Sequence, residues 1–121
     1  MKRKHEIYKL LGDFSEDQIK QITFGLLQGL DVSWFADPKF SWEQMQEIIL
    51  GLLRGIDVSK YANPSFTPKQ MFEIRFGLLH GLDVSEYADP DISWEKMYEL
   101  RQSMLTESDV AKCENHGEVQ K

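Results

Sequence analysis

The sequence predicts an all-α protein, a short α-solenoid built from helix–turn–short-helix repeats. Three related segments start 26 residues apart, GLDVSWFADP at 29, GIDVSKYANP at 55 and GLDVSEYADP at 81. Each follows a hydroxyl residue and a run of apolar residues at helical spacing. Repetition at a fixed period of this length is typical of proteins that stack one supersecondary unit on the next.

The period divides the chain into three full units and two ends. The full units cover residues 14–39, 40–65 and 66–91. We expect residues 1–13 to form an N-terminal capping helix and 92–111 to form a degenerate C-terminal capping repeat. Residues 112–121 are predicted to be a flexible tail. At 121 residues the whole chain is expected to be a single domain.

A capping box is predicted at the start of each long helix. Its members are Ser15 with Gln18, Ser41 with Gln44, and Thr67 with Gln70. The hydroxyl accepts a bond from a backbone N–H that has no helical partner, and the glutamine three residues later bonds back to the cap residue. An apolar residue before each cap and another five residues on have the spacing of a hydrophobic staple. Each long helix is predicted to have roughly 14 residues, about 21 Å.

Glycine, aspartate and proline then define the joint between units. Gly29, Gly55 and Gly81 are predicted to end the long helices in the left-handed conformation, with a Schellman-type closure. Asp31, Asp57 and Asp83 follow as N-caps of a second helix of about one turn. Pro38, Pro64 and Pro90 are expected to stop that short helix. The repeated segment is therefore interpreted as a structural joint.

The interior of the long helix carries a second glycine and two apolar stripes. Gly25, Gly51 and Gly77 each cost about 1 kcal/mol relative to alanine, so we expect close approach of another backbone, that of the short helix. On a helical wheel Ile19, Ile22, Leu26 and Leu30 form a core stripe. Phe24 and Leu27 lie on a second apolar side, so we expect the helix to bury both sides.

Composition excludes several classes of protein. The formal net charge is -6, which argues against a protein that binds nucleic acid through phosphate contacts. No run of about 18 apolar residues is present, so no membrane span is expected. The single cysteine, Cys113, cannot form an internal disulfide, and a cytoplasmic location follows as the expectation.

No motif for catalysis, a cofactor or a metal is recognisable, and we expect none of the three. The sequence lacks an HExxH pattern, a CxxC pair and a phosphate-binding glycine loop. The recurring aspartates could suggest a cation site, but Asp31 and Asp37 are separated by VSWFA and Asn63 replaces the second of them in the next unit. Helix capping is therefore the favoured interpretation, and Ser33 is interpreted as a turn residue.

A ladder of variable positions is the candidate binding surface. Lys20, Gln46, Phe72 and Tyr98 are equivalent positions on successive long helices. Arg54 and His80 flank them, and Trp34 varies on the short helix. Phe72 and Tyr98 with Arg75 and Arg101 would form the aromatic and arginine cluster favoured at binding hot spots. The alternative is that these aromatic rings only pack between units.

The unit also resembles a known repeat. With QMxEIxxGL followed by GLDVSxYAxP, residues 14 to about 102 resemble a short helical repeat of uncharacterised Firmicutes proteins, often encoded on phages, plasmids and other mobile elements. The resemblance carries no catalytic residue to this chain. It implies an association with accessory genes, among which anti-defence proteins occur.

Three functions remain open. The first is a non-enzymatic protein-binding module, monomeric or weakly dimeric, that presents the variable ladder to another protein. The alternative is an acidic inhibitor of a nucleic-acid enzyme, with carboxylates in place of phosphates. A nucleic-acid-binding solenoid is third, because the net charge disfavours it.

Overall fold

The computed structural model describes residues 12–106, which are helical with no strand among them. Three long helices have 12 residues each: α1 (Glu16–Leu27), α2 (Trp42–Leu53) and α3 (Pro68–Leu79). A fourth, α4, covers 94–106. Between them lie three 3₁₀ helices, Val32–Trp34, Val58–Lys60 and Val84–Glu86. The predicted all-α class is confirmed. The described residues include only a turn at 12–13 of the predicted capping helix and none of the predicted tail. They also leave out His5, Cys113 and His116.

The predicted capping boxes are present at all three long helices. In α2 the Ser41 N–H donates to Gln44 Oε1 at 2.8 Å, and the Gln44 N–H donates to Ser41 Oγ at 3.1 Å. The same glutamine also donates through Nε2 to the carbonyl oxygens of Pro64, at 3.0 Å, and Phe66, at 2.6 Å. Gln18 and Gln70 make equivalent bonds. One buried glutamine thus caps its own helix and holds the start of the next unit.

The predicted glycine ends are also confirmed. At the end of α1 the Leu30 N–H donates to the Gly25 carbonyl at 2.9 Å and the Gly29 N–H to the Leu26 carbonyl at 3.0 Å, which is a Schellman motif. Gly29 has φ +73°, a conformation that strains any residue with a Cβ. The same geometry recurs at Gly55 and Gly81.

The joint differs from the prediction at its proline. Asp31 caps the first 3₁₀ helix as expected, since its carboxylate accepts from the Ser33 N–H at 3.1 Å and the Ser33 hydroxyl at 2.6 Å. The helix ends at Trp34, however, before Pro38 is reached. Proline therefore does not stop the 3₁₀ helix. The Pro38 carbonyl instead accepts from Gln18 Nε2 at 3.2 Å, and Pro64 and Pro90 occupy the equivalent place.

The inner glycines make room for side chains, so the expected backbone approach is wrong. A Cβ on Gly51 would overlap the hydroxyl oxygen of Tyr61 and lie 2.7 Å from Cγ1 of Val58. Gly77 is placed in the same way against Tyr87. At Gly25 the nearest atom is Cζ of Phe35, at 2.7 Å. The ring that follows each 3₁₀ helix therefore packs directly on the glycine of the preceding long helix.

Those rings and the methionines form the core. Phe35, Tyr61, Tyr87, Met45, Met71 and Met97 are all fully buried. The hydroxyl of Tyr61 donates to the Glu47 carbonyl at 2.7 Å, and that of Tyr87 to the Glu73 carbonyl at 3.3 Å. Burial raises the pKa of both tyrosines, that of Tyr87 to about 12. α1 packs on α2 and α2 packs on α3, and each 3₁₀ helix contacts the long helix that precedes it.

The long helices bury only one of the two predicted sides. Ile22 and its counterparts Ile48 and Ile74 are buried, but Phe24 is 43% exposed and Leu27 is 79% exposed. The core stripe is also incomplete, since Leu26 is 61% exposed. The expectation of a helix buried on two sides is therefore wrong for the described residues, because the second side stays partly exposed.

Candidate interaction surface

The exposed side of the long helices carries large apolar side chains at repeated positions. They occupy three positions of the repeat that fall within about 60° on a helical wheel. We call this set the apolar face: Phe24, Leu27, Leu50, Leu53, Phe72, Leu79 and Tyr98. Each is between 37% and 79% exposed. Taking about 200 Å² for a fully exposed large side chain, the face presents about 600 Å² of apolar area.

The apolar face contains a groove between α1 and α2. It has a volume of about 290 Å³ and is lined by Phe24, Leu50 and Leu53, with the amides of Gln21 and Gln46 on its sides. A smaller hollow of about 200 Å³ lies beside Phe72 and Trp94, between α3 and α4. The two hollows give the surface concave sites for large side chains.

Ion pairs join the neighbouring helices next to this face. The Arg75 guanidinium donates to Glu47 at 2.9 Å, and the Arg101 guanidinium donates to Glu73 at 2.8 Å. Both pairs join residues 28 positions apart, one repeat and two residues. The equivalent positions between α1 and α2 hold Gln21 and Ile49, which cannot form an ion pair. The groove lies where that pair is replaced.

The arginines also support aromatic rings. The Arg101 guanidinium carbon is 4.2 Å from the centroid of the Phe76 ring and 5.1 Å from that of Tyr98. Arg75 is placed 5.3 Å from the Phe72 ring. These distances fit cation–π contacts. The predicted aromatic and arginine cluster is therefore assembled, but its charges are paired within the chain: the side chain of Arg101 is only 6% exposed.

The other predicted site residues are distributed over two surfaces. Lys20 and Gln46 lie on the long helices beside the apolar face, whereas Arg54 and His80 are the cap residues that follow α2 and α3. All four are exposed. Trp34 is 40% exposed but belongs to the first 3₁₀ helix, so it does not extend the ladder on the long helices. The His80 ring nitrogen Nδ1 lies 2.9 Å from the Phe76 carbonyl, as expected for an imidazole at a helix C-terminus.

The recurring aspartates act as caps. The Ser33 hydroxyl and the backbone of that residue lower the pKa of Asp31, and the same pattern lowers the pKa of Asp57 and Asp83. Within residues 12–106, no group of three His, Cys, Asp or Glu side chains is arranged to hold a metal ion. The carboxylates remain ionised and exposed on the connecting segments.

Sequence reasoning missed Glu47 and Glu73. Neither glutamate is among the predicted site residues, although Glu73 is only 4% exposed and Glu47 holds Arg75. A signal was available: glutamate and arginine recur together 28 residues apart in two consecutive units and are both absent from the first.

Comparison with protein-family models, with curated proteins and with solved structures finds no match to this chain. In the described part of the chain every helix is too short or too polar to reach across a bilayer. The features of the described residues that bear on function are therefore the exposed apolar face and its grooves.

Proposed function

We propose that this chain is a non-enzymatic protein-binding module, a short α-solenoid whose apolar face contacts a partner protein. Two sets of contacts that recur one unit apart support the solenoid. The capping-box glutamines bond to the start of the next unit, and the arginines of α3 and α4 pair with glutamates of the preceding helix. Units joined by identical neighbour contacts are the basis of repeat architectures.

The observation that carries the proposal is the area of the apolar face. The largest apolar patch on a typical monomer is about 300–600 Å², and patches at the upper end mark interaction sites. The face reaches that end with seven side chains, of which three are aromatic. Aromatic residues are enriched where binding energy is concentrated, because they bury large areas with few rotatable bonds.

The variable ladder supports specificity on the same surface. From α1 to α4 the ladder position on the long helices changes from Lys20 to Gln46, Phe72 and Tyr98, of which the last two belong to the apolar face. The side chain at this position therefore changes from charged to aromatic along the array, whereas the position of Leu27, Leu53 and Leu79 holds leucine in each unit. A partner that matches this order would bind in one orientation. Arg75 and Arg101 act as supports for the rings, because both guanidinium groups are paired with glutamates.

The test is affinity capture from the native host with matched variants. We expect Leu53→Ser combined with Phe72→Ser to reduce recovery of the partner at least about tenfold, since both side chains are exposed at the centre of the face. Trp34→Ser is the control, because it removes an equally exposed ring from a 3₁₀ helix. Melting temperatures should stay close to that of the parent. Equal recovery by the face variant and the control would contradict the proposal.

The connecting segments favour one second candidate, an acidic inhibitor of a nucleic-acid enzyme. Segments 29–41, 55–67 and 81–93 carry seven acidic and two basic residues, including the capping aspartates. The resemblance to repeats from mobile elements is in keeping with such a role. This candidate requires binding to a basic protein that weakens steeply with salt and survives changes to the apolar face.

A further inference from the structure

We propose that the apolar face binds a second copy of this chain, so that the protein forms a homodimer through this surface. The inference rests on the proposed protein-binding function and specifies the partner. In such a dimer the same face of both subunits meets across a two-fold axis. Three observations support a second copy over a partner of different chemistry: the area, the distribution of charge, and the presence of a protruding side chain and a groove on one face.

The exposed area matches the requirement of a standard interface. A stable interface buries about 800 Å² on each partner, and in homodimers about 65% of that area is apolar. The apolar share needed from each subunit is then about 500 Å². The face supplies about 600 Å² on the same scale that gave its area above. Both subunits meet the requirement from this single surface, without any contribution from the connecting segments.

The charge of the chain is segregated away from the face. The long-helix segments 16–28, 42–54, 68–80 and 94–106 carry seven acidic and six basic residues, a net charge of -1. The connecting segments carry seven acidic and two basic, a net charge of -5. Two acidic chains therefore repel least when they approach through their long helices. A strongly basic partner would be attracted to the connecting segments instead.

The face also carries a knob and a hole. Leu27 is the most exposed side chain of the set, at 79%. The neighbouring groove of about 290 Å³ is lined by Phe24, Leu50 and Leu53 and has only amide groups on its sides. An uncharged groove of this kind accepts an aliphatic side chain without leaving a charge unpaired. An isologous contact uses both features twice, because each subunit supplies one knob and one hole.

Sedimentation equilibrium of the full chain tests the proposal. Over loading concentrations from about 1 to about 200 µM, which cover weak to moderate association, we expect the average mass to rise from 14.1 kDa towards twice that value. Leu27→Glu with Leu53→Glu should weaken the dimer at least about 100-fold, because each substitution places a carboxylate in the interface twice. Trp34→Glu adds one such charge away from the face and should leave the dissociation constant within about threefold.

Salt provides a second readout that misfolding does not imitate. Raising sodium chloride from about 50 to about 500 mM should leave the dimer as strong or stronger, because salt screens the repulsion between the acidic chains. Weakening by salt would overturn the charge argument. A chain that stays at 14.1 kDa throughout would overturn the second-copy proposal.

The two proposals fail separately. If the parent chain is monomeric while the face variants lose a captured protein, the occupant is a different partner and the binding function stands. If the face variants instead lower the melting temperature of a monomer, the face is covered by another part of the same chain and both proposals fail. If capture is unaffected but the face variants abolish the dimer, the second copy is the occupant and binding of a different protein through this face is contradicted.

Discussion

Replacing Gly51 by alanine tests whether a buried tyrosine hydroxyl is the reason for the glycine. In an unobstructed helix the change would stabilise the protein by about 1 kcal/mol. Here the new Cβ would overlap the hydroxyl oxygen of Tyr61 and approach Cγ1 of Val58 to 2.7 Å. The ring must then move, which breaks the 2.7 Å bond from its hydroxyl to the Glu47 carbonyl. A shift of the helix or of the core that relieves this contact would therefore lose other stabilising contacts.

The expected net effect is a loss of stability. Overpacking a core costs about 1–3 kcal/mol and a lost hydrogen bond about 1 kcal/mol, against the helix gain of about 1 kcal/mol. We expect a net loss of about 2 kcal/mol, which lowers the melting temperature of a chain of this size by about 10 °C. Urea unfolding followed by circular dichroism measures the free energy directly.

A double-mutant cycle with Tyr61→Phe identifies the hydroxyl as the cause. Alone, Tyr61→Phe should cost about 1 kcal/mol through its lost hydrogen bond. In the Gly51→Ala background it should cost nothing or restore stability, which gives a coupling of about 1 kcal/mol or more. Gly25→Ala is the matched control without a hydroxyl, because its nearest atom is Cζ of Phe35 at 2.7 Å, and it should lose less stability than Gly51→Ala. Stabilisation by Gly51→Ala, or an additive cycle, would refute the reasoning.

Three further predictions concern the buried polar groups, two of which join neighbouring units. Gln44→Glu keeps the acceptor of the capping box but removes the donor to the next unit, so it should lower the free energy of unfolding in urea by about 1–3 kcal/mol. The control Gln46→Glu changes an exposed side chain and should lower it by less than about 0.5 kcal/mol. Arg101→Met leaves the buried Glu73 unpaired and should cost about 3–5 kcal/mol, more than Arg75→Met at the more exposed pair. Equal losses would contradict the role of burial. Burial raises the pKa of Tyr87 to about 12, above its unfolded value of about 10. Tyr87 therefore makes its full contribution to the free energy of unfolding below pH 10, and this contribution is lost as the pH rises to 12. Absorbance titration should show Tyr87 ionising above the ordinary tyrosine pKa of about 10, and Tyr87→Phe should reduce the alkaline loss of stability.

Local structure was predictable where one residue type has one physical use. Serine or threonine followed by glutamine at the third position has few roles other than a capping box, and glycine after an apolar helix is the common left-handed end. The aspartate caps follow the same logic, since the side chain bonds two residues on. Those elements depend on neighbours within a few residues, so a single sequence carries all of the information that determines them.

The long-range roles were not predictable in the same way. The amide of Gln18 bonds 22 residues further on, to the Phe40 carbonyl, and Arg101 bonds 28 residues back. A capping box explains the glutamine completely within its own turn, so nothing local indicated a second function for its Nε2 donors. The expected backbone approach at Gly51 failed for a related reason. Spacing identifies a position that excludes a side chain, but it does not identify the atom that fills the space.

The apolar face shows why a helical wheel overestimates burial. A wheel gives the direction of Phe24 and Leu27 around the helix axis, but whether a neighbour lies in that direction depends on how the units are arranged. Here α2 contacts α3 through the side that carries Glu47, which pairs with Arg75, and it contacts its own 3₁₀ segment through Gly51. One side of the helix is then left partly exposed in the described residues. Apolar residues that are kept at two repeated positions but stay partly exposed within the described residues reduce solubility and add less to the core than fully buried ones. The proposed contact with a second copy would account for their repetition, and the near-neutral charge of the same helices is compatible with it.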